Sequence, residues 1–217
     1  MKKLFIAIFA CLPMLSMAQN VWERPQDEQK QVKEQQAKKA EKKAVANAED
    51  AKYLAGAVPV VDGKVVFTYN LDVPGKSAQE IYDRMYAFLD NMTKEENQFK
   101  ESCIALVNKR DHVIAARFKE WLVFTNNFIS LDRTEFNYTI IATCTDGHLN
   151  VTVERINYSY EEGRSTELQT SAEKWITDEY ALNKKKTKLS KISGKFRRKT
   201  VDRIEYIFKS MASDQKQ

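Results

Sequence analysis

The sequence predicts an α+β protein: an antiparallel sheet with helices on one face, in the order β-α-β-β-β-β-α, preceded by a polar helical spacer. Three observations carry this reading. Residues 64–73 (KVVFTYNLDV) alternate apolar and polar side chains, as a half-buried strand does. Several more alternating runs follow one another between residues 103 and 160, two of them joined by Asp146-Gly147, a strong hairpin signal. Amphipathic helical stripes occur before and after that block, so the helices can cover the apolar side of the strands and leave the other side open.

The chain opens with MKKLFIAIFACLPMLSMA. Lys2 and Lys3 form a basic start, Leu4 to Leu15 is an apolar run too short to span a bilayer, and Ser16-Met17-Ala18 offers small residues for cleavage. Residues 1–18 therefore read as a signal peptide and the protein as exported: periplasmic, outer-membrane associated or secreted. Lipid attachment at Cys11 fits poorly, because Phe9 is bulky and the apolar run continues past the cysteine. Removing the leader takes away two lysines and lowers the formal charge from +5 to +3, with no transmembrane segment left. That mild charge is not the footprint of a dedicated nucleic-acid binder.

Residues 19–57 form the spacer. From Val21 to Ala51 the composition is nearly all Gln, Glu, Lys and Ala, good helix formers with hardly a large apolar residue to bury. The folded domain is placed at 58–212, with 213–217 as a tail. After the first strand, Pro74-Gly75 breaks the chain, and Ser77 with Glu80 has capping-box spacing for a helix carrying Ile81, Met85, Phe88, Leu89 and Met92. In residues 94–108, Phe99, Cys103, Leu106 and Val107 fit a helix while CIALVN alone fits a strand, and the strand from Cys103 is the preferred reading. HVIAARF and EWLVF read as two short strands, and residues 135–144 as a longer one. On the return strand the apolar parity shifts from Leu149, Val151 and Val153 to Ile156, Tyr158 and Tyr160, as a bulge at Glu154-Arg155 would cause. Thr170 with Glu173 reads as the cap of a helix holding Ala172, Trp175, Ile176 and Tyr180, and a last helix carries Val201, Ile204, Ile207, Phe208 and Met211.

VDGKVVFTYNLDVPG, SAQEIYDRMYAFLDN, DRTEFNYTIIATCTDG and the late SAEKW segment together resemble a family of exported bacterial proteins, a domain of unknown function with a TATA-box-binding-protein-like fold. The likeness covers most of residues 58–212. It implies the fold, but the family brings no established activity, so no functional residue carries over. The fold name invites a DNA-binding reading that the residues oppose. A minor-groove saddle needs apolar wedges and basic residues on its open sheet face. Here that face is expected to show Thr68, Asn70, Asp72, Asn137, Thr139, Thr143, Asn150, Thr152 and Glu154, polar and slightly acidic.

No catalytic constellation stands out. His112 and His148 have no partner at metal-ligand spacing, Ser171 to Lys174 matches S-x-x-K without the motifs that accompany it, and no phosphate-binding or cofactor motif is present. Trp121 and Trp175 are expected in the core. The leading reading is an exported, non-enzymatic binding or interaction module whose partner is an envelope protein, a glycan or an anionic lipid surface. The alternative is a hydrolase-type enzyme with a site assembled from residues distant in sequence. Residues 183–200 hold Lys184, Lys185, Lys186, Lys188, Lys191, Lys195, Arg197, Arg198 and Lys199 without an acid, which reads as a solvated linker or as an anionic-surface contact. Cys103 and Cys144 are a candidate disulfide, with two buried free thiols as the alternative. The leader makes a direct prediction: the exported protein begins at Gln19, and intact mass checks it. A lipid on Cys11 contradicts it.

Overall fold

A computed structural model of the chain describes residues 50–127 and 131–216. The leader and most of the polar spacer lie outside the described residues. One antiparallel sheet is built from β3 (Phe67–Asp72), β4 (Cys103–Asn108), β5 (Val113–Asn126), β6 (Leu131–Thr145) and β7 (His148–Tyr160), in the spatial order β3-β7-β6-β5-β4. A short β8 (Leu168–Ser171) pairs with the far end of β7, and a small hairpin of β1 (Val60–Val61) and β2 (Lys64–Val65) precedes β3. Helices α1 (Ala78–Met92) and α3 (Ser193–Gln215) supply the apolar cover on one side. The α+β architecture is the one the alternation and stripes imply.

Local rules account for much of it. Ser77 and Glu80 form the full capping box: the Ser77 N–H donates to Glu80 Oε2 at 2.8 Å, and the Glu80 N–H donates to Ser77 Oγ at 3.3 Å. From there α1 buries Ile81, Tyr82, Met85, Leu89 and Met92. The β6–β7 turn uses Gly147 at a φ of 72°, which a side chain would resist, and Asp146 Oδ1 accepts the Ala78 N–H at 2.8 Å, tying this turn to the start of α1. The bulge lies where the parity shift places it. Asn137 pairs with Asn157 but Thr139 pairs with Glu154, and Arg155 takes a left-handed φ of 57°.

Three expectations need correction. The two runs before residue 126 are a single 14-residue strand, β5, because the alternation continues through Lys119-Glu120: Ile114, Ala116, Phe118, Glu120 and Leu122 all face the core. The segment near Trp175 is a 3-10 turn (Ala172–Lys174) followed by the single-turn α2 (Asp178–Ala181), not a capped helix. Thr170 is committed to β8 opposite Tyr158, and the Glu173 carboxylate accepts the Val65 N–H at 3.0 Å instead of capping. The domain also reaches further at both ends. Tyr53 is in the core, and α3 runs to a buried Gln215.

Two buried charges hold these parts together. Glu120 is fully buried and accepts from Asn97 Nδ2 (3.0 Å), Gln98 Nε2 (2.6 Å), the Tyr138 hydroxyl (3.1 Å) and Arg203 Nε and Nη2 (2.8 and 2.7 Å). Burial opposes the Arg203 charge, but the Glu120 hydrogen bonds outweigh it, and the Arg203 pKa rises. Arg197, also without exposure, donates to the carbonyls of Tyr53 (2.6 Å), Leu54 (2.6 Å) and Ile176 (2.7 Å) and to Asp178 Oδ1 (2.7 Å). It fastens the segment before β1 and the turns after β8 to α3.

Candidate functional site

With α1 and α3 on one side, no described element covers the other side of the sheet. Strand pairing orders its side chains into rows. One row runs Leu106, Ala115, Ile141, Thr152, Thr68, and the next runs Asn108, Val113, Thr143, Asn150, Asn70. Cys103, Arg117, Thr139 and Glu154 form a third, followed by Lys119, Asn137 and Asn157, and then by Trp121, Glu135 and Ser159. Cross-strand bonds stiffen the β3 side: Asn150 Nδ2 donates to Asn70 Oδ1 at 2.8 Å, and His148 Nδ1 lies 3.0 Å from Asp72 Oδ1.

The nine residues expected on this face are all outside the core. The face as a whole, however, is neither uniformly polar nor acidic. Its β5 half brings Val113, Ala115, Arg117, Lys119 and Trp121, and Arg117, Lys119 and Arg133 offset Asp72, Glu135 and Glu154. Trp121 was expected in the core and is half-buried here instead, because Glu120 holds the core position and its neighbour must point the other way. The Arg133 guanidinium sits 3.7 Å from the Trp121 ring centre, Phe99 packs beside the indole at 4.9 Å, and Lys119 bridges to Glu135 at 3.0 Å. A cleft of about 400 Å³ opens there, lined by Trp121, Arg133, Glu135, Ser159, Tyr160 and Glu162. Another, of about 640 Å³, lies at the β7 bulge between Lys64, Glu154, Arg155, Asn157 and Glu173. The signal for this half was present in the period-2 alternation through FKEW, which the charged Lys-Glu pair obscured.

Comparison with known proteins joins this geometry to a family. A family model described as a domain of unknown function (DUF4468) with TBP-like fold matches residues 67–159, from β3 to the end of β7. A crystal structure of a DUF4468 family protein from Bacteroides ovatus is 44% identical, with a TM-score of 0.71, over 76% of this chain and 94% of that one. The chain belongs to the DUF4468 family. A TBP-like protein from Parabacteroides distasonis shares the fold at 20% identity, with a TM-score of 0.59, over 73% of this chain and 96% of that one. No curated protein matches.

In this DUF4468 protein the basic run is not one linker. Residues 183–192 form a loop closed by the Asn183 side chain, whose Oδ1 accepts the Thr187 N–H at 2.8 Å and the Lys188 N–H at 3.2 Å. Lys184, Lys185, Lys186, Lys188 and Lys191 are exposed on it. Arg197 and Arg198, expected in the same surface contact, belong to α3: Arg197 is buried in its clamp and Arg198 pairs with Asp50. Lys195 is likewise engaged, with Asp132 at 2.7 Å and the Tyr160 hydroxyl at 3.0 Å. Trp175 packs edge-on against Phe196. His112 lies at the β4–β5 turn, 3.2 Å from Gln79 Oε1, and His148 pairs with Asp72 at the exposed end of β7. Among the described residues no three His, Cys, Asp or Glu side chains are grouped to hold a metal ion.

Cys103 and Cys144 do not approach each other. Both are free thiols, on strands separated by β5, and the row of Cys103 meets β6 at Thr139, five residues before Cys144. Burial pushes the Cys144 thiol up to about 12, which removes its nucleophilic form at ordinary pH, whereas Cys103 is half-exposed. A thiol reagent at pH 8 is expected to label Cys103 in the folded chain lacking residues 1–18, and both cysteines only after denaturation. Equal labelling rates in the folded state would contradict this packing.

Proposed function

We propose that this DUF4468 protein is an exported, non-enzymatic module that binds a component of the cell envelope through the open face of its sheet. The carrying observation is the asymmetry of the sheet. One side is sealed by α1 and α3, while the other spans five strands with rows of Thr and Asn, a central Ala115–Ile141 strip and charges of both signs near Trp121. Such a surface offers hydrogen-bonding groups and a stacking aromatic on rigid strands, which suits recognition of a polar partner. The leader supports export. The exposed lysines of the 183–192 loop add an electrostatic contact with an anionic surface, worth about 1 kcal/mol for each basic residue near anionic lipid.

Co-sedimentation of the protein lacking residues 1–18 with isolated envelope vesicles tests the reading. The wild type is expected in the pellet, and Thr139→Arg with Thr152→Arg, which add bulk at half-exposed positions, is expected to lose about tenfold in binding, or 1.4 kcal/mol. The melting temperature should stay unchanged. Replacing Lys184, Lys185, Lys188 and Lys191 by Gln should remove only the salt-sensitive part of the binding. A wild type that stays in the supernatant, or a face variant that pellets normally, overturns the proposal.

A further inference from the structure

The two outer edges of the sheet are unlike. Strand β3 presents FTYNLD, with Asp72 at its end and Pro74 just beyond, both ordinary means of discouraging a further strand. Strand β4 presents CIALVN, six residues without a charge or a proline, and no described backbone pairs with its outer side. Leu106 is 65% exposed and Val107 39%, a large apolar exposure on an unpaired edge. Its one irregularity is a bulge at Ala105, where the β5 register moves between Ile104 and Leu106. A bare apolar edge of this kind is a template for strand addition.

We propose that β4 is the seam of a two-fold dimer, in which two copies of this chain join their sheets edge to edge in antiparallel pairing. The bulge makes the strand complementary to itself. Pairing with β5 sets Cys103, Leu106 and Asn108 on the open face and Ile104 and Val107 on the core side. A copy turned about an axis normal to the sheet then meets the strand with Cys103 opposite Asn108 and Ile104 opposite Val107. Every such pair shares a face, as antiparallel partners must. An unbulged six-residue strand would set unlike faces against each other in this register. The flanks agree: the same register carries Glu101 toward Arg110 and Lys100 toward Asp111, four exposed charges in opposite-sign pairs. The open faces of the two copies then lie on the same side and become continuous through Leu106. The seam is short, so association is weak and concentration-dependent.

Sedimentation equilibrium of the protein lacking residues 1–18 is the test, read from low concentration to about 100 μM, in the range of a weak interface. The expected result is a monomer reaching twice its mass as concentration rises. Leu106→Lys is expected to remain monomeric, while Leu131→Lys, at another exposed leucine outside β4, keeps the wild-type association. Ala105→Cys lies beside the two-fold axis and should form an intermolecular disulfide on mild oxidation, which wild-type Cys103, five positions from the Cys103 of the other copy along the seam, should not. A wild type that is monomeric throughout overturns the proposal. So does a Leu106→Lys protein that still associates, a Leu131→Lys protein that does not, or an Ala105→Cys protein that fails to cross-link. None of these readings depends on envelope binding, so the two proposals fail separately.

Discussion

A carboxylate with no access to water at Glu120 constrains the rest of the structure. An unpaired charge in that position would cost several kcal/mol, and the chain answers with five hydrogen bonds from four residues. Two of those residues, Asn97 and Gln98, come from the connection leading to β4, one from β6, and one from α3. Satisfying Glu120 therefore sets where that connection runs along β5 and where α3 lies over the sheet. Arg197, six residues earlier on α3, extends the same logic by collecting the carbonyls of Tyr53, Leu54 and Ile176. Arg203 ties α3 to the sheet through Glu120, and Arg197 ties the same helix to the segment before β1 and the turns after β8.

Glu120 also marks the limit of what the sequence makes legible. Features whose cause is local could be read directly. The Ser77–Glu80 capping box, the Asp146-Gly147 turn and the parity shift at Glu154-Arg155 each depend on a few neighbouring residues, and each is in place. The continuity of β5 could not be read in that way, because a charged residue at a core position makes sense only beside Arg203, 83 residues away. The misplacement of Trp121 follows from the same residue, since whatever faces the core at 120 sends 121 to the open side. Arg197 and Arg198 posed the same difficulty: a run of basic residues looks uniformly solvated until Asp50, Asp178 and the backbone carbonyls are brought to it.

The candidate site was legible by halves for the same reason. On β3, β6 and β7 the alternation of Thr and Asn with apolar residues identifies the open face residue by residue. On β5 it was hidden, and with it the Trp121–Arg133 stack and the balance of charge. The completed face differs in character from a DNA-binding saddle. Its basic residues are matched by acids, and its aromatic group is one tryptophan engaged by an arginine at the end of the sheet instead of paired wedges along it. The fold name describes the shape of the chain and not its ligand.

A double-mutant cycle measured by denaturant unfolding reads whether the Glu120–Arg203 pair holds α3 against the sheet. Arg203→Met alone is expected to cost about 3–5 kcal/mol, because it leaves the Glu120 carboxylate buried without its cation. Adding Glu120→Gln, which keeps the size and removes the charge, is expected to restore much of that loss, so the double variant is well above the sum of the singles. Additive losses, equal to the sum within about 0.5 kcal/mol, would place the two residues in separate roles and show that the pair does not hold the helix.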